Sequence, residues 1–211
     1  MGEVRRLSDR QRHWDNVYAT DRNRSWHRAH LETSLRLILQ TTDELSLPII
    51  DVGGGSSTLV DDLLDRGCSS ITVLDVSAAA LGAARERLGP TRADRVRWIC
   101  ADATTAPLQK NAYGVWHDRG AFHFLTVPAE RARYVGQIRR AVRPGGRIVI
   151  ATFALDAPST CSGLPVMRYS RDSLCQELGP DFTLLETVDE PHVTPSGAIE
   201  PFIYGHWVRQ R

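Results

Sequence analysis

Four aspartates could act together, because each lies at or just beyond the end of a short apolar run: Asp51, Asp75, Asp102 and Asp118. If these runs are neighbouring parallel strands, their carboxyl ends meet at one edge of the sheet, where open α/β sheets bind ligands. A single aspartate at such a place is as often a turn or capping residue. Four in succession indicate a binding edge, and their charge favours a cationic ligand over one with two phosphates.

A glycine-rich segment follows the first of these runs. Gly53 and Gly55 allow a tight turn, and Ser57 lies where a helix can begin and offer free amide donors to a nucleotide-type cofactor. Thr58 occupies the position of the third glycine of the dinucleotide fingerprint, so that pattern is incomplete. Asp75 comes 20 residues after Gly55, where an acidic side chain can accept hydrogen bonds from both ribose hydroxyls. This spacing alone leaves NAD and other adenosine-containing cofactors open.

The later aspartates narrow the choice of cofactor. Val76, beside Asp75, joins the candidate cofactor residues, and Asp102 with Ala103 could bind the exocyclic amine of adenine. We expect Asp118 to face the centre of the crevice. A sulfonium cation suits such an acidic crevice better than a pyrophosphate does, so the pattern favours S-adenosylmethionine.

The elements that must position these residues alternate from about residue 47 onward. Short apolar runs and longer amphipathic runs follow one another, which is typical of βαβ units and a parallel sheet. The predicted strands are residues 47–52, 71–75, 96–100, 113–117, 147–153, 182–188 and 202–208, and the predicted helices begin near Ser56 or Ser57, Ser77, Glu130 and Ser170. The last two strands are joined by the turn at residues 195–197 and must pair antiparallel. A further turn is predicted at residues 144–146, directly before the fifth strand.

These elements predict an α/β fold with one Rossmann-like, doubly wound domain. Its sheet has seven strands, is mostly parallel and ends in an antiparallel hairpin. Residues 1–46 hold two helical segments, separated by a polar run at residues 20–24, and are predicted to form a lid on the domain of residues 47–211. Trp14 and Trp26 lie in this lid, where an aromatic face would stabilise a nearby sulfonium by about 0.5 to 2 kcal/mol. They could equally be ordinary core tryptophans.

Composition excludes several classes of protein. With 211 residues, 26 basic and 25 acidic side chains, the chain suits one domain and gives no sign of a nucleic-acid partner. No apolar stretch approaches the roughly 20 residues of a membrane span. The four cysteines form no CxxC pair and the N-terminus lacks an apolar signal, so we expect a cytoplasmic protein, monomeric or homodimeric. No metal site is predicted, because His27 and His30 lack a third ligand.

Five motifs in order carry a resemblance to a known family: Ile-Asp-Val-Gly-Gly-Gly at 50–55, Val-Leu-Asp at 73–75, Ala-Asp-Ala at 101–103, Trp-His-Asp-Arg-Gly at 116–120 and Arg-Pro-Gly-Gly-Arg at 143–147. With the terminal hairpin, they resemble the class I S-adenosylmethionine-dependent methyltransferases in order and spacing. Within that superfamily, Trp14 and Trp26 together with Asp118-Arg119-Gly120 look like the thiopurine methyltransferase branch.

The resemblance implies methyl transfer to a small-molecule nucleophile, with sulfur or another soft atom favoured. The candidate catalytic residues are Asp118, Arg119 and His123. Arg119 could hold an anionic acceptor, and His123 is the first candidate for the general base that an oxygen nucleophile would need, with His117 second. A protein lysine N-methyltransferase shares this fold and stays open as an alternative. So does a protein of another class, an NAD(P)-binding oxidoreductase or a non-catalytic nucleotide-binding module.

Overall fold

The computed structural model describes residues 2–20, 25–40 and 45–210, with side chains from residue 9 onward. The polar run predicted between the two N-terminal helices lies, at residues 21–24, outside the described residues. Within the described part the chain forms the strands β1 (Ile49–Val52), β2 (Ile71–Asp75), β3 (Val96–Cys100), β4 (Tyr113–Arg119), β5 (Val142–Phe153), β6 (Thr160–Cys161), β7 (Leu164–Pro165), β8 (Phe182–Val193) and β9 (Ile199–Arg209).

The helices alternate with these strands. They are α1 (Gly2–Thr20), α2 (Glu32–Leu39), α3 (Leu59–Asp65), α4 (Ala78–Leu88), α5 (Pro90–Ala93), α6 (Pro128–Ala141) and α7 (Arg171–Leu178), and a single 3₁₀ turn covers Phe122–Phe124.

Seven strands form one sheet in the order β3-β2-β1-β4-β5-β9-β8. The first five are parallel, and β9 is antiparallel to both β5 and β8. The predicted fold, a mostly parallel seven-stranded sheet with a terminal hairpin, is therefore confirmed. The strand register brings the strand ends together, since Val52 of β1 pairs with Leu74 of β2 and with Asp118 of β4.

Helices cover both faces of the sheet, which explains why its central strands read as almost continuous apolar runs. Neighbouring residues of β1 point to opposite faces, so Ile49 packs in one core with α2, α3 and α4, and Ile50 packs in the other with α6 and α7. Every residue of β1 and β2 is buried. The carboxyl edge of the sheet is thus held rigidly from both sides.

The two N-terminal helices have different places in the fold. α1 packs against α4, and Asp15 accepts hydrogen bonds from the Ser77 hydroxyl at 2.6 Å and the Ala79 amide at 3.1 Å. α2 instead buries Leu37 and Ile38 completely in the core below the sheet. The predicted lid of residues 1–46 is therefore wrong for α2, whose apolar face makes it part of the domain that was expected to begin at residue 47.

Some predicted boundaries also shift. The turn expected at residues 144–146 lies within β5, where the pairing jumps from Val142 with Tyr113 to Arg147 with Val115. Pro144 has no amide hydrogen and Gly145 has φ +74°, so this stretch continues the strand as an irregularity instead of ending it.

The helix expected near Ser56 or Ser57 begins at Leu59. The Ser57 hydroxyl accepts the Leu59 amide at 3.1 Å. The short helix α5 and the β6-β7 hairpin had no sequence signal that we recognised.

Two glycines, Gly205 in the sheet and Gly136 in α6, test how tightly the protein packs around each position. Gly205 of β9 lies opposite Ile150, and a methyl group added there would overlap the buried indole of Trp207. We expect Gly205→Ala to reduce the free energy of unfolding by about 1 to 3 kcal/mol. Gly136→Ala, in α6 with open space around the added carbon, should raise it by about 0.4 to 1 kcal/mol. Urea unfolding midpoints measure both changes, and equal midpoints would contradict the packing described.

Candidate active site

A large cavity opens at the carboxyl edge of the sheet, beneath α1. It encloses about 920 Å³ between its lining atoms, part of it open to solvent. Most of the predicted site residues line it: Trp14, Trp26, Gly53, Asp75, Val76, Asp102, Ala103, Arg119 and His123. A smaller neighbouring cavity shares Trp26, Gly53 and Arg119 with it and is also lined by Asp51 and Ser57. Two predicted residues, Gly55 and Asp118, are among the lining residues of neither.

The glycine-rich turn after β1 has the geometry that the sequence predicts. Gly53 and Gly55 have φ +68° and +44°, the left-handed region that favours glycine. A side-chain carbon on Gly53 would overlap Ala121, and one on Gly55 would lie 2.9 Å from Asp75 Oδ2 and 2.5 Å from the Tyr18 hydroxyl. Because it lacks a side chain, Gly55 lets the turn approach Asp75 closely, although Gly55 itself does not line either cavity.

Asp75 ends β2 with a buried carboxylate on the cavity wall. Its Oδ1 accepts the Ser77 amide at 2.8 Å, while the Ser77 hydroxyl caps α4 by accepting the Ala80 amide at 3.0 Å. Burial raises the pKa of Asp75 to about 7, although the backbone hydrogen bond from Ser77 opposes the shift. A carboxylate with this pKa gains stabilisation from any ligand that donates hydrogen bonds to it.

Asp102, the residue predicted to bind adenine, has a partner from α1. Its Oδ1 accepts the Thr104 amide at 2.7 Å and the Thr104 hydroxyl at 2.6 Å. Its Oδ2 forms an ion pair with Arg10, whose second guanidinium nitrogen lies 3.0 Å from Glu130. The sequence did not reveal this ion pair, because it joins residues 92 positions apart. α1 thus covers Asp102, the predicted adenine contact, with a positive side chain.

Asp118 does not face the crevice as predicted. Its side chain is fully buried, and Oδ1 accepts the Ala121 amide at 2.9 Å and the Phe122 amide at 3.3 Å. Oδ2 accepts the Tyr134 hydroxyl of α6, and burial raises the pKa of Asp118 to about 6. Side chains alternate along β4, so Asp118 points to α6 and Arg119 points to the cavity. Asp118 is therefore a positioning residue that shapes the turn after β4.

Arg119 brings a guanidinium to the cavity. Its Nε donates to the Tyr204 hydroxyl at 3.0 Å, and Nη1 donates to the Trp26 carbonyl at 3.3 Å. The guanidinium carbon lies 4.3 Å from the centre of the Phe202 ring. Nη2 is buried, lies 3.8 Å from Glu190 Oε1, and has no hydrogen-bond partner among the described residues.

His123 is neutral and oriented. It lies in the 3₁₀ turn after β4, and its Nδ1 accepts the Phe153 amide at 3.2 Å. Burial, assisted by the nearby Arg119, lowers its pKa to about 3. A neutral imidazole that accepts through Nδ1 carries its hydrogen on Nε2. His123 therefore presents a hydrogen-bond donor to the cavity, and the predicted role of general base does not fit this orientation.

A buried chain of hydrogen bonds joins Arg119 to the first aspartate. Tyr204 accepts from Arg119 and lies 3.3 Å from the Ser34 hydroxyl, which lies 2.9 Å from His117 Nε2. His117 Nδ1 lies 2.7 Å from Asp51 Oδ1. Each group in this chain can donate a hydrogen bond to the next, from Arg119 through Tyr204, Ser34 and His117 to Asp51. His117 is thus a link in the chain, away from the main cavity.

Aromatic rings line the roof and floor of the cavity. Trp14 lies 6.0 Å from Trp26 and 4.9 Å from Phe124, measured between ring centres. Tyr18 lies 6.1 Å from Trp26. The sequence predicted the two tryptophans but missed Tyr18 and Phe124.

Glu200 also lines the cavity and was missed by the sequence analysis. It lies at the start of β9, opposite His192 of β8. Alternation along a strand that begins at Ile199 would have placed Glu200, Phe202 and Tyr204 on one face. That signal was lost because the last strand was predicted to begin only at residue 202.

Two negative findings hold for residues 2–20, 25–40 and 45–210. No group of three or more potential ligands there could hold a metal ion. No helix in that part of the chain has the length and apolar character needed to cross a membrane.

Comparisons with known proteins agree with this fold. Residues 49–146 match the model of a methyltransferase domain family. A ubiquinone/menaquinone biosynthesis C-methyltransferase of Methylobacterium nodulans is 32% identical over 114 residues, which are 52% of this chain and 44% of that protein. The human EEF1A lysine methyltransferase 2 is 20% identical over 88% of this chain and 79% of its own length. The chain spans about half the length of the quinone-related relatives that it matches.

Solved structures show the same fold. The 1,6-didemethyltoxoflavin-N1-methyltransferase of Burkholderia thailandensis has a TM-score of 0.71 at 17% identity, over 99% of this chain and 90% of that one. Residues 49–146 thus carry a methyltransferase domain, and this match agrees with the resemblance of the motifs to the class I S-adenosylmethionine-dependent methyltransferases. The cofactor of this family is S-adenosylmethionine, so that prediction is confirmed, whereas the narrower thiopurine branch stays a prediction.

Two buried tyrosines test how the turn after β4 is held. Tyr134 donates to Asp118 and accepts the Trp116 indole N–H at 3.0 Å, so Tyr134→Phe would leave both groups without this partner. We expect it to reduce the free energy of unfolding by about 2 to 4 kcal/mol. The hydroxyl of Tyr169 is buried with no partner among the described residues, so Tyr169→Phe should be neutral or slightly stabilising. Denaturant unfolding compares the two, and similar losses would argue against a special role of the Asp118 contact.

Proposed function

We propose that this protein transfers the methyl group of S-adenosylmethionine to a small molecule. The observation that carries the proposal is the buried carboxylate of Asp75, which lies on the cavity wall beside a turn that only glycine fits. A cationic, ribose-containing cofactor matches that wall, because ribose hydroxyls donate to a carboxylate and the aromatic rings above it attract a sulfonium.

The cofactor residues follow from the lining of the two cavities. Asp75 and Val76 would hold the ribose, and Asp102 with Ala103 would face the adenine once Arg10 moves aside. Five further residues, which surround the glycine turn or the aromatic roof, complete the proposed cofactor site: Trp14, Trp26, Gly53, Asp51 and Ser57. Gly55 would support that site through its close approach to Asp75.

When bound, S-adenosylmethionine supplies an activated methyl group. The chain's own residues then have to align the acceptor within about 3 to 3.5 Å of the methyl carbon and exclude water. α1 and the aromatic rings cover the cavity and would exclude water from it. Arg119 stabilises negative charge on the acceptor, because its Nη2 has an unused hydrogen in a buried setting.

A small-molecule acceptor agrees better with these charges than a protein lysine does. A lysine ammonium would approach the guanidinium of Arg119, and like charges in a buried site repel strongly. One relative is a lysine methyltransferase, so lysine transfer stays the second enzymatic alternative. Comparing radiolabelled methyl transfer into lysate protein and into small metabolites distinguishes the two. Sulfur or another soft atom as acceptor, a cytoplasmic location, the absence of a nucleic-acid partner, and a monomeric or homodimeric state stay predictions.

Cofactor titration tests the proposal directly. We expect calorimetry to detect binding of S-adenosylhomocysteine and none of NAD. Asp75→Ala should weaken that binding by about tenfold or more, because the ribose hydroxyls lose their acceptor. Asp94→Asn, at an exposed aspartate, is the matched control and should bind as the parent does. Binding of NAD alone would support an oxidoreductase or a nucleotide-binding module instead.

The raised pKa of Asp75 gives a second test. Ionised Asp75 accepts hydrogen bonds from the ribose, and protonation removes this capacity, so affinity should rise with pH through about 7 and then level off. We expect binding of S-adenosylhomocysteine at pH 6 to be roughly tenfold weaker than on the plateau. Asp75→Asn, which carries no titrating group, should flatten this profile. An unchanged slope in that variant would assign the pH dependence to another residue.

A further inference from the structure

Three polar atoms without hydrogen-bond partners belong to residues on the wall of the main cavity, and Arg119 is near enough to His123 and Glu200 to affect the pKa of each. Nη2 of Arg119, Nε2 of His123 and Oε2 of Glu200 are all buried, and none has a hydrogen-bond partner among the described residues. All three residues line the cavity. Buried polar groups in folded proteins are almost always paired. These three therefore mark the place where the polar groups of a ligand belong.

The three atoms differ in what they can accept or donate. Arg119 has only donors, and His123 offers the hydrogen on Nε2, because its Nδ1 accepts from Phe153. The carboxylate of Glu200 only accepts. A ligand that satisfies all three must present both a lone pair and a hydrogen, and a single hydroxyl group presents both.

The side chains that line the cavity indicate which kind of molecule bears this hydroxyl group. Phe124, Phe153 and Phe202 line this part of the cavity, and Phe202 also lies against the guanidinium of Arg119. Flat aromatic walls favour a flat, unsaturated ring by stacking and edge contacts. Aliphatic hydroxyl compounds would leave much of this surface without close contacts.

Glu200 is placed to take a proton. It forms no ion pair among the described residues, although the charge of Arg119 lies close enough to influence it. Burial raises the pKa of Glu200 above its ordinary value, while the nearby Ser25 side chain and the charge of Arg119 partly oppose this. A carboxylate with a raised pKa and an unused oxygen is a suitable general base.

We propose that the methyl acceptor is a hydroxyl group on a planar unsaturated ring, that Glu200 takes its proton, and that Arg119 and His123 hold its oxygen. This proposal rests on the proposed function of methyl transfer. The bond from the ring oxygen to the methyl carbon forms as the bond from that carbon to sulfur breaks, and the electron pair stays on sulfur. The hydroxyl proton passes to the Glu200 carboxylate and later to water, so charges and atoms balance.

The test uses the full chain and matched acceptors. One-ring and two-ring aromatics bearing a hydroxyl, a thiol or an amine are offered with radiolabelled S-adenosylmethionine, and lysate protein is offered separately. The variants are Glu200→Gln, His123→Ala and, as a control at an exposed carboxylate on α4, Glu86→Gln. Calorimetry with S-adenosylhomocysteine is run on each variant, so that cofactor binding and folding are measured apart from turnover.

We expect the hydroxyl compounds to be methylated in preference to the thiols and amines, a result that would replace the sequence-based prediction of a sulfur acceptor. Glu200→Gln should bind S-adenosylhomocysteine within twofold of the parent, lose about 100-fold in kcat at neutral pH and lose the acidic limb of the pH profile. His123→Ala should raise KM for the acceptor and keep that limb, since His123 is a donor in this arrangement. Glu86→Gln should behave as the parent does.

Several outcomes would overturn the proposal. One is a Glu200→Gln variant with parental kcat and pH profile, and another is a preference for thiols, amines or lysate protein. A protein that binds S-adenosylhomocysteine but neither binds nor methylates any hydroxylated ring would also overturn it, while leaving the cofactor proposal intact. Failure to bind S-adenosylhomocysteine at all would instead contradict the proposed function.

Discussion

The buried hydrogen-bond chain from Arg119 to Asp51 links the wall of the main cavity to that of the smaller neighbouring cavity. It runs through Tyr204, Ser34 and His117 and crosses β9, α2, β4 and β1. Each of these groups is expensive to bury without a partner, so removing one member leaves its neighbours unpaired. The position of the Arg119 guanidinium on the cavity wall is therefore fixed by the same contacts that hold the Asp51 carboxylate next to the glycine turn.

A second buried carboxylate sets the geometry after β4. Asp118 accepts hydrogen bonds from the amides of Ala121 and Phe122 and from the hydroxyl of Tyr134. These bonds hold the turn in the conformation in which His123 accepts a hydrogen bond from the amide of Phe153. The orientation of the His123 imidazole is set by this hydrogen bond with Phe153, a residue 30 positions away, and not by its neighbours in the sequence. Two aspartates that resemble ligand contacts in the sequence thus act largely on the protein itself, one through His117 and the other through the turn.

The sheet and its acidic edge could be predicted because they depend on local patterns: apolar runs of strand length, glycines at a turn, and an aspartate where each strand ends. Asp75 and Asp102 lie on the cavity wall for that reason. Asp118 was misjudged because one step along β4 reverses the direction of a side chain. Arg10 was missed because its importance comes from contact with a distant part of the chain, which no local pattern contains. Glu200 was missed because the last strand was predicted to begin at residue 202 instead of Ile199.

The ion pair between Arg10 and Asp102 would compete with a cofactor at the proposed adenine position. While this pair is formed the proposed position is covered, so cofactor binding there would draw on the fraction of molecules in which Arg10 has released Asp102. The observed dissociation constant then equals the intrinsic one divided by that fraction. Because Arg10 is partly exposed, dissolved ions weaken its hold. Salt would thereby loosen the cover that Arg10 places over Asp102.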